Sequence, residues 1–432
     1  TDTIFIGQFV GRLGIAGLSI TFPLQMLTMG MGQMVGLGGA SVISRLIGRG
    51  DNHRAERTLG NGITLGIFLS ALLMLMVLPA VNFWLRVIGA SEAVMPYARD
   101  YLTVMISGTV FNVLTFSFLG FVRAEGNARV AMTAMIIGSL LNIILDAVFI
   151  IALNMGVRGA ALAYVISQAI SLIYVLSYYL SGSSYLKIHR ANFTPDFRII
   201  KEIFIIGIAS FVQTTAGSMS AVLIIRMAVT YGGDIAISAF GIIQRMMWFS
   251  LMPSMVLGQG MQPVLGFNFG AGRFHLVLKT IAIASLGSVM VGTVAFLILF
   301  FIPEPIVRIF TRDEQLIAKS AYVARLVFIV LPLFGFFTVG SMVFPSVGRA
   351  WETFIVAITR PLVFMIPLVV LLPRALWEDG VWLSFPVSDV LTFLLTVALL
   401  VPLIKTFRKA SAGEKTTPAA TPLKSPEAFR TR

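Results

Sequence analysis

Eleven apolar stretches, each long enough to cross a bilayer as a helix, follow one another along this chain. They fall at 16–47, 59–88, 95–121, 130–153 and 159–180, and again at 203–230, 235–267, 274–301, 318–347, 351–372 and 381–404. A bilayer interior offers no water to satisfy backbone groups, so segments of this length must be helical there. The chain opens at Thr1, without Met, inside another apolar stretch, and residues 1–7 read as the outer end of a truncated first span. The expected fold is all-α: a polytopic integral membrane protein of about twelve membrane-spanning helices.

Charge supports that reading. Only 12% of residues are charged, where a soluble globular protein carries about 25%. The net charge of +13 therefore does not call for a nucleic-acid partner. Basic residues gather in the connections 45–57, 123–129, 187–201 and 273–279 and in the tail, and alternate with less basic turns such as Gly232-Gly233-Asp234 and Glu378-Asp379. The positive-inside rule then puts both termini in the cytoplasm, in a bacterial or archaeal plasma membrane. With no cysteine, disulfides, thiolate catalysis and Cys-ligated metals are excluded. The three histidines lie in polar connections, and no phosphate-binding loop, zinc-binding His pair or serine elbow is present. The chain reads as a non-enzyme, with no cofactor, that draws energy from an ion gradient or from another chain.

The two halves repeat each other at a fixed offset. Gly36-Leu37-Gly38 and Gly48-Arg49-Gly50 return 222 residues later as Gly258-Gln259-Gly260 and Gly270-Ala271-Gly272. The same offset takes Arg86 to Arg308, Glu92 to Glu314 and Gly126 to Gly348. Six spans per repeat keep both halves in one orientation, so two pseudo-symmetric six-helix lobes are expected, with a binding site between them near mid-membrane. The expected division is an N-terminal lobe at 1–186, a cytoplasmic linker at 187–201, a C-terminal lobe at 202–405 and a disordered tail at 406–432 rich in Lys, Ala, Thr and Pro.

Polar residues inside the spans mark the candidate sites. Asn142 and Asp146 are four apart in an apolar run and share a helix face with Ser139 and Met135. An Asp at mid-span costs about 2.5–3.5 kcal/mol on insertion scales, which favours an ion or substrate path over a packing hydrogen bond. In the second half, Asp389 and Arg245 both lie within apolar spans and Arg360 sits in a further span; the cost of unpaired charge favours a pair of Asp389 with Arg245, or with another Arg, over a coupling role for Asp389. Methionines crowd the second span and its repeat mate, either as apolar filler or as an adaptable cavity lining. Met26, Gln33 and Met135 are the candidate substrate contacts.

The chain resembles the MATE (multidrug and toxic compound extrusion) family. The resemblance rests on Asp2-Thr-Ile-Phe-Ile-Gly7, Gly38-Gly-Ala-Ser41, Leu46-Ile-Gly48, Asn142-Ile-Ile-Leu-Asp146 with Phe149-Ile150, and Met155-Gly-Val-Arg-Gly-Ala-Ala161. In the second half it rests on Tyr231-Gly-Gly-Asp234, Gly258-Gln-Gly260, Gln262-Pro263 and Asn268-Phe-Gly-Ala271. It implies a cation-coupled antiporter that expels amphipathic, often cationic compounds by alternating access, with small organic molecules and the bilayer as partners, and a monomer. It also implies a cation site at Asp2, Asn142 and Asp146, able to hold H⁺ or Na⁺. Tyr164 stands where some relatives place a threonine; a phenol is a poorer Na⁺ ligand, which tilts the expectation toward H⁺. A flippase of related architecture for lipid-linked precursors is the alternative, and the N-terminal spans lack the basic cluster expected of one.

Overall fold

A computed structural model describes residues 2–414, which are almost entirely helical. α1 is Asp2–Phe9, α2 Arg12–Arg49 and α3 Asn52–Ile88. α4 is a broken span of Met95–Ser107 and Thr109–Ala124, bent by 54°. α5 (Ala128–Ala152) and α6 (Gly156–Leu180) complete the first half. α7 (Phe197–Gly233), α8 (Ile235–Gly270) and α9 (Phe274–Phe301) open the second. α10 is again broken, Glu314–Phe328 and Leu331–Ser346, bent by 50°. The stretch Ala350–Gly413 turns at Trp377 (φ 53°), giving α11 (350–376) and α12 (378–413). With α1 counted as a partial span, this is the expected architecture of two six-helix units.

The repeat is written in the backbone. Gly11 and Gly233 have φ 91° and 66°, Gly50 and Gly272 78° and 71°, and Gly126 and Gly348 88° and 79°. Each pair is separated by the 222-residue offset, and each turn requires a left-handed residue, where a Cβ is costly. Arg86–Glu92 (3.4 Å) and Arg308–Glu314 (2.8 Å) are matching ion pairs. The helices begin where polar side chains cap them: Asp51, Asn127, Asp196 and Asp313 accept from backbone N–H groups of the first turn. Asp196 starts α7 at Phe197, so the second half begins inside the expected linker. α12 runs past Lys405 to the limit of the described residues, so 406–413 are helical where a disordered tail is expected; 415–432 lie outside the described residues.

The lobes meet along α2, α7 and α8, toward the linker end. A Cβ on Gly48 would overlap the Phe267 carbonyl, and one on its repeat mate Gly270 would overlap the Arg45 carbonyl. Gly38 and Gly207 abut the carbonyls of Ile203 and Met34 in the same way. The Gly48 and Gly270 contacts are repeat mates, as a two-fold relation along the membrane normal produces, and small residues permit all four close approaches. The hydrogen bonds that cross between the lobes fall here too. Arg123 donates to Gln259 (2.7 Å), Gln262 to the Leu37 carbonyl (3.2 Å), Ser41 to the Pro345 carbonyl, and Arg45 and Arg54 to Glu202 (3.1 and 3.4 Å).

The end of α6 and the segment just after it dock on the turn after α4. Glu125 Oε2 accepts from the Tyr178 hydroxyl (3.4 Å) and the Tyr185 amide (3.1 Å). Burial outweighs these donors and pushes the Glu125 carboxyl up to about 7. An acid whose folded pKa lies above its unfolded value stabilises the fold at low pH, and that stability is lost as pH rises from the unfolded value to about 7. Amide hydrogen exchange at Tyr185 is therefore expected to speed up beyond its intrinsic pH dependence between about pH 5 and pH 8, and Glu125→Gln to flatten that excess.

Candidate functional site

Asp146 is fully buried, and neither of its carboxylate oxygens has a hydrogen-bond partner among the described residues. It ends the regular part of α5; the next six residues, Ala147–Ala152, form a π-helical turn. Such turns shift the register of a helix face and are frequent at functional sites. The Asp2 carboxyl on α1 is close enough to Asp146 to act on it electrostatically. Two facing carboxylates offer acceptors and no donor, so a proton between them or a small cation supplies what the arrangement lacks.

The surrounding groups are also incompletely satisfied. Asn142 lies one turn before Asp146 on α5, and its Nδ2 is buried without a partner among the described residues. Asn112, in the second part of α4, donates to the Tyr164 hydroxyl on α6 while its own Oδ1 is buried and unpartnered. Tyr101, in the first part of α4, is buried beside Asp2, Asp146 and Tyr164. The structure thus gathers Asp2, Asn142, Asp146 and Tyr164 in one region of the N-terminal lobe. It adds Tyr101 and Asn112, which sequence reasoning missed. Asn112 left one signal, an amide deep in an apolar span; Tyr101 left none that separates it from core aromatics.

The remaining candidates are more scattered. Met26 and Gln33 are half-buried on α2, and Met135 is exposed on α5. Among the described residues, no hydrogen bond or ring contact links these three to one another or to the acidic pair. In the C-terminal lobe the expected pairing is corrected: Asp389 accepts from Arg360 Nε at 2.6 Å, and Arg245 is exposed on α8. Arg360 lies in a π-helical turn, Thr359–Met365, with its guanidinium 4.9 Å from the Phe334 ring centroid and its Nη2 buried without a partner. Depth in the membrane, which sequence gives, is common to Arg245 and Arg360; the direction each faces around its helix decides between them.

The family model MatE matches residues 1–148 and 208–371. The chain is similar to the "Multidrug export protein MepA" of Staphylococcus aureus strain MSSA476, 28% identical over 381 residues that cover 87% of this chain and 84% of that protein. Among solved structures it is similar to the MATE multidrug transporter DinF-BH. That chain is 37% identical with a TM-score of 0.86, and the match covers 93% of this chain and 90% of that one. A MATE structure in a bent conformation matches with a TM-score of 0.89 at 24% identity, over 95% of this chain and 92% of that one, which shows the shared fold.

The Arg360–Asp389 pair sets a test of stability. Removing one member of a buried pair strands the other charge and costs about 3–5 kcal/mol. Arg360→Met is expected to lower the thermal midpoint in detergent sharply, and Arg360→Met with Asp389→Leu to recover most of the loss. Thermal unfolding of the purified single and double variants measures this directly.

Proposed function

The chain belongs to the MatE family, and from that premise we propose that it exports amphipathic organic compounds in exchange for H⁺ or Na⁺. The observation that carries the proposal is the Asp146 carboxylate, fully buried and unpartnered opposite Asp2. A purely structural Asp would be hydrogen-bonded or paired, because an unsatisfied charge in an apolar setting is costly. A group that binds a cation in one state and releases it in another has reason to lack a permanent partner.

The lobes supply the second half of the mechanism. They are closed at the linker end, which the distribution of basic residues assigns to the cytoplasm. Met26 on α2 and Met255 on α8 are half-buried, and both are assigned to a substrate cleft that opens outward. Cation binding at Asp2 and Asp146 alters the packing of α1 against α5 and displaces substrate outward. Opening of the seam then releases the cation inward and admits substrate. The relatives bear multidrug-export names, which favours this reading over lipid-precursor flipping.

Asp146→Asn tests the reading. The substitution preserves size and hydrogen bonding but removes the titratable carboxyl. A packing role would leave transport intact, since interhelical hydrogen bonds in membranes average about 0.6 kcal/mol. A coupling role predicts loss of gradient-driven ethidium efflux, at matched expression and with thermal stability retained in detergent. Asp2→Asn is expected to weaken efflux in the same direction. Wild-type efflux by a stable Asp146→Asn protein would remove the coupling site from this pair.

A further inference from the structure

The start of α7 borders a cavity of about 300 Å³ at the linker end of the molecule. Arg198, Lys201, Glu202, Ile205 and Ile206 of α7 line it, with Gly348 from the turn between α10 and α11. Ile203 and Gly207 mark the side of α7 that meets α2: the Ile203 carbonyl abuts Gly38, and Gly207 abuts the Met34 carbonyl. At about 100° per residue, Arg198, Lys201 and Ile205 lie at least about 120° around the helix from both. No proline interrupts α7 over this stretch. The cavity therefore sits on the side of α7 turned away from α2.

Its charge is uncompensated. Arg198 and Lys201 are exposed, and no ion pair or side-chain hydrogen bond joins either to another described residue. The acids around them are already held. Glu202 pairs with Arg45 (3.1 Å) and Arg54 (3.4 Å), Asp196 with Arg57 (3.2 Å), and Glu352 with Arg349 (3.3 Å). One turn beyond Lys201 the character changes. Ile205, about 10 Å along the axis from Arg198, is exposed, as is Phe204 next to it. Basic groups at the helix end followed by exposed apolar side chains match the order of charge and hydrocarbon across a membrane interface.

We propose that this cavity binds the headgroup of an anionic phospholipid, with the phosphodiester between Arg198 and Lys201 and an acyl chain along Ile205 and Phe204. A guanidinium forks two N–H groups toward phosphate oxygens, and an ammonium adds a point charge. Basic pockets between membrane helices on the cytoplasmic side suit such headgroups, because that leaflet is rich in anionic lipid. Free phosphate would satisfy the same two cations but would leave the apolar stretch uncovered, which favours the lipid. Glu202 and Gly348 also adjoin Arg45 of the N-terminal lobe, so the lipid lies against the closed seam.

Native mass spectrometry of the purified protein, released from detergent micelles, counts bound lipids as phosphatidylglycerol or zwitterionic phosphatidylcholine is titrated in. The wild type is expected to bind the first phosphatidylglycerol more tightly than phosphatidylcholine. A basic residue at a membrane surface is worth about fivefold in affinity for anionic lipid, so Arg198→Gln with Lys201→Gln should weaken that first phosphatidylglycerol about thirtyfold and leave phosphatidylcholine unchanged. Each single variant should lose about fivefold, which keeps the test decisive if the double variant folds poorly. Arg408→Gln with Lys409→Gln removes the same charge from the end of α12 and should change the binding of neither lipid. Equal affinity of the wild type for the two lipids, undiminished phosphatidylglycerol binding by the Arg198 and Lys201 variants, or an equal loss in the α12 variant would overturn the site. Displacement of the lipid by millimolar inorganic phosphate would overturn the lipid as occupant in favour of a free anion.

Discussion

Two helices lie backbone against backbone at Gly48 and Gly270, and the arrangement of the lobes depends on that contact. Each glycine occupies the place where the partner helix presents a carbonyl, so any side chain would force the lobes apart. The two positions are repeat mates, and a pseudo-two-fold axis makes each helix both the donor and the recipient of the same fit. Beside it, Ile199, Ile203 and Ile206 of α7 pack into the apolar cluster that holds Val35, Val42 and Ile43 of α2. The seam is held by that packing, by shape and by a few hydrogen bonds and ion pairs, from Ser41, Arg45, Arg54, Arg123 and Gln262, to groups on the other lobe. A contact of that kind can part and reform as a unit, which alternating access requires.

The symmetry of the scaffold does not extend to its charges. In the N-terminal lobe, Asp146 is buried without a donor and faces a second carboxyl. In the C-terminal lobe, Asp389 is held by Arg360 at 2.6 Å. The repeat mate of Asp146 is Leu368, and that of Asp389 is Ser167. Duplication explains the shared bends, turns and ion pairs; the two lobes then diverged at the positions where charge meets the membrane interior. One lobe keeps a buried carboxylate without a basic partner, and the other neutralises its own.

Most of the architecture was legible in the sequence because hydropathy and glycine spacing are one-dimensional signals. The offset that pairs Gly50 with Gly272 also sets their common backbone conformation. The breaks in α4 and α10 were not legible, since Ser107-Gly108 and Ile329-Val330 sit in runs as apolar as any helix interior. The candidate cation site was legible for Asp2, Asn142, Asp146 and Tyr164 through polar residues at unfavourable depth and through family resemblance. It was not legible for Tyr101, whose phenol is ordinary in sequence and significant only beside the acids. The error over Arg245 has the same origin: a residue's depth follows from its place in a span, but its facing direction depends on which neighbours the helix meets.

If the lobes alternate as rigid units, transport requires the seam at the linker end to open. The chain lacks cysteine, so a thiol pair can be introduced without background. Arg123→Cys with Gln259→Cys replaces a hydrogen-bonded pair that spans the lobes. Bridging the two thiols with a short, reducible cross-linker should stop substrate efflux from proteoliposomes, and reduction should restore it. Undiminished efflux by the fully cross-linked protein would contradict a seam that must part for transport.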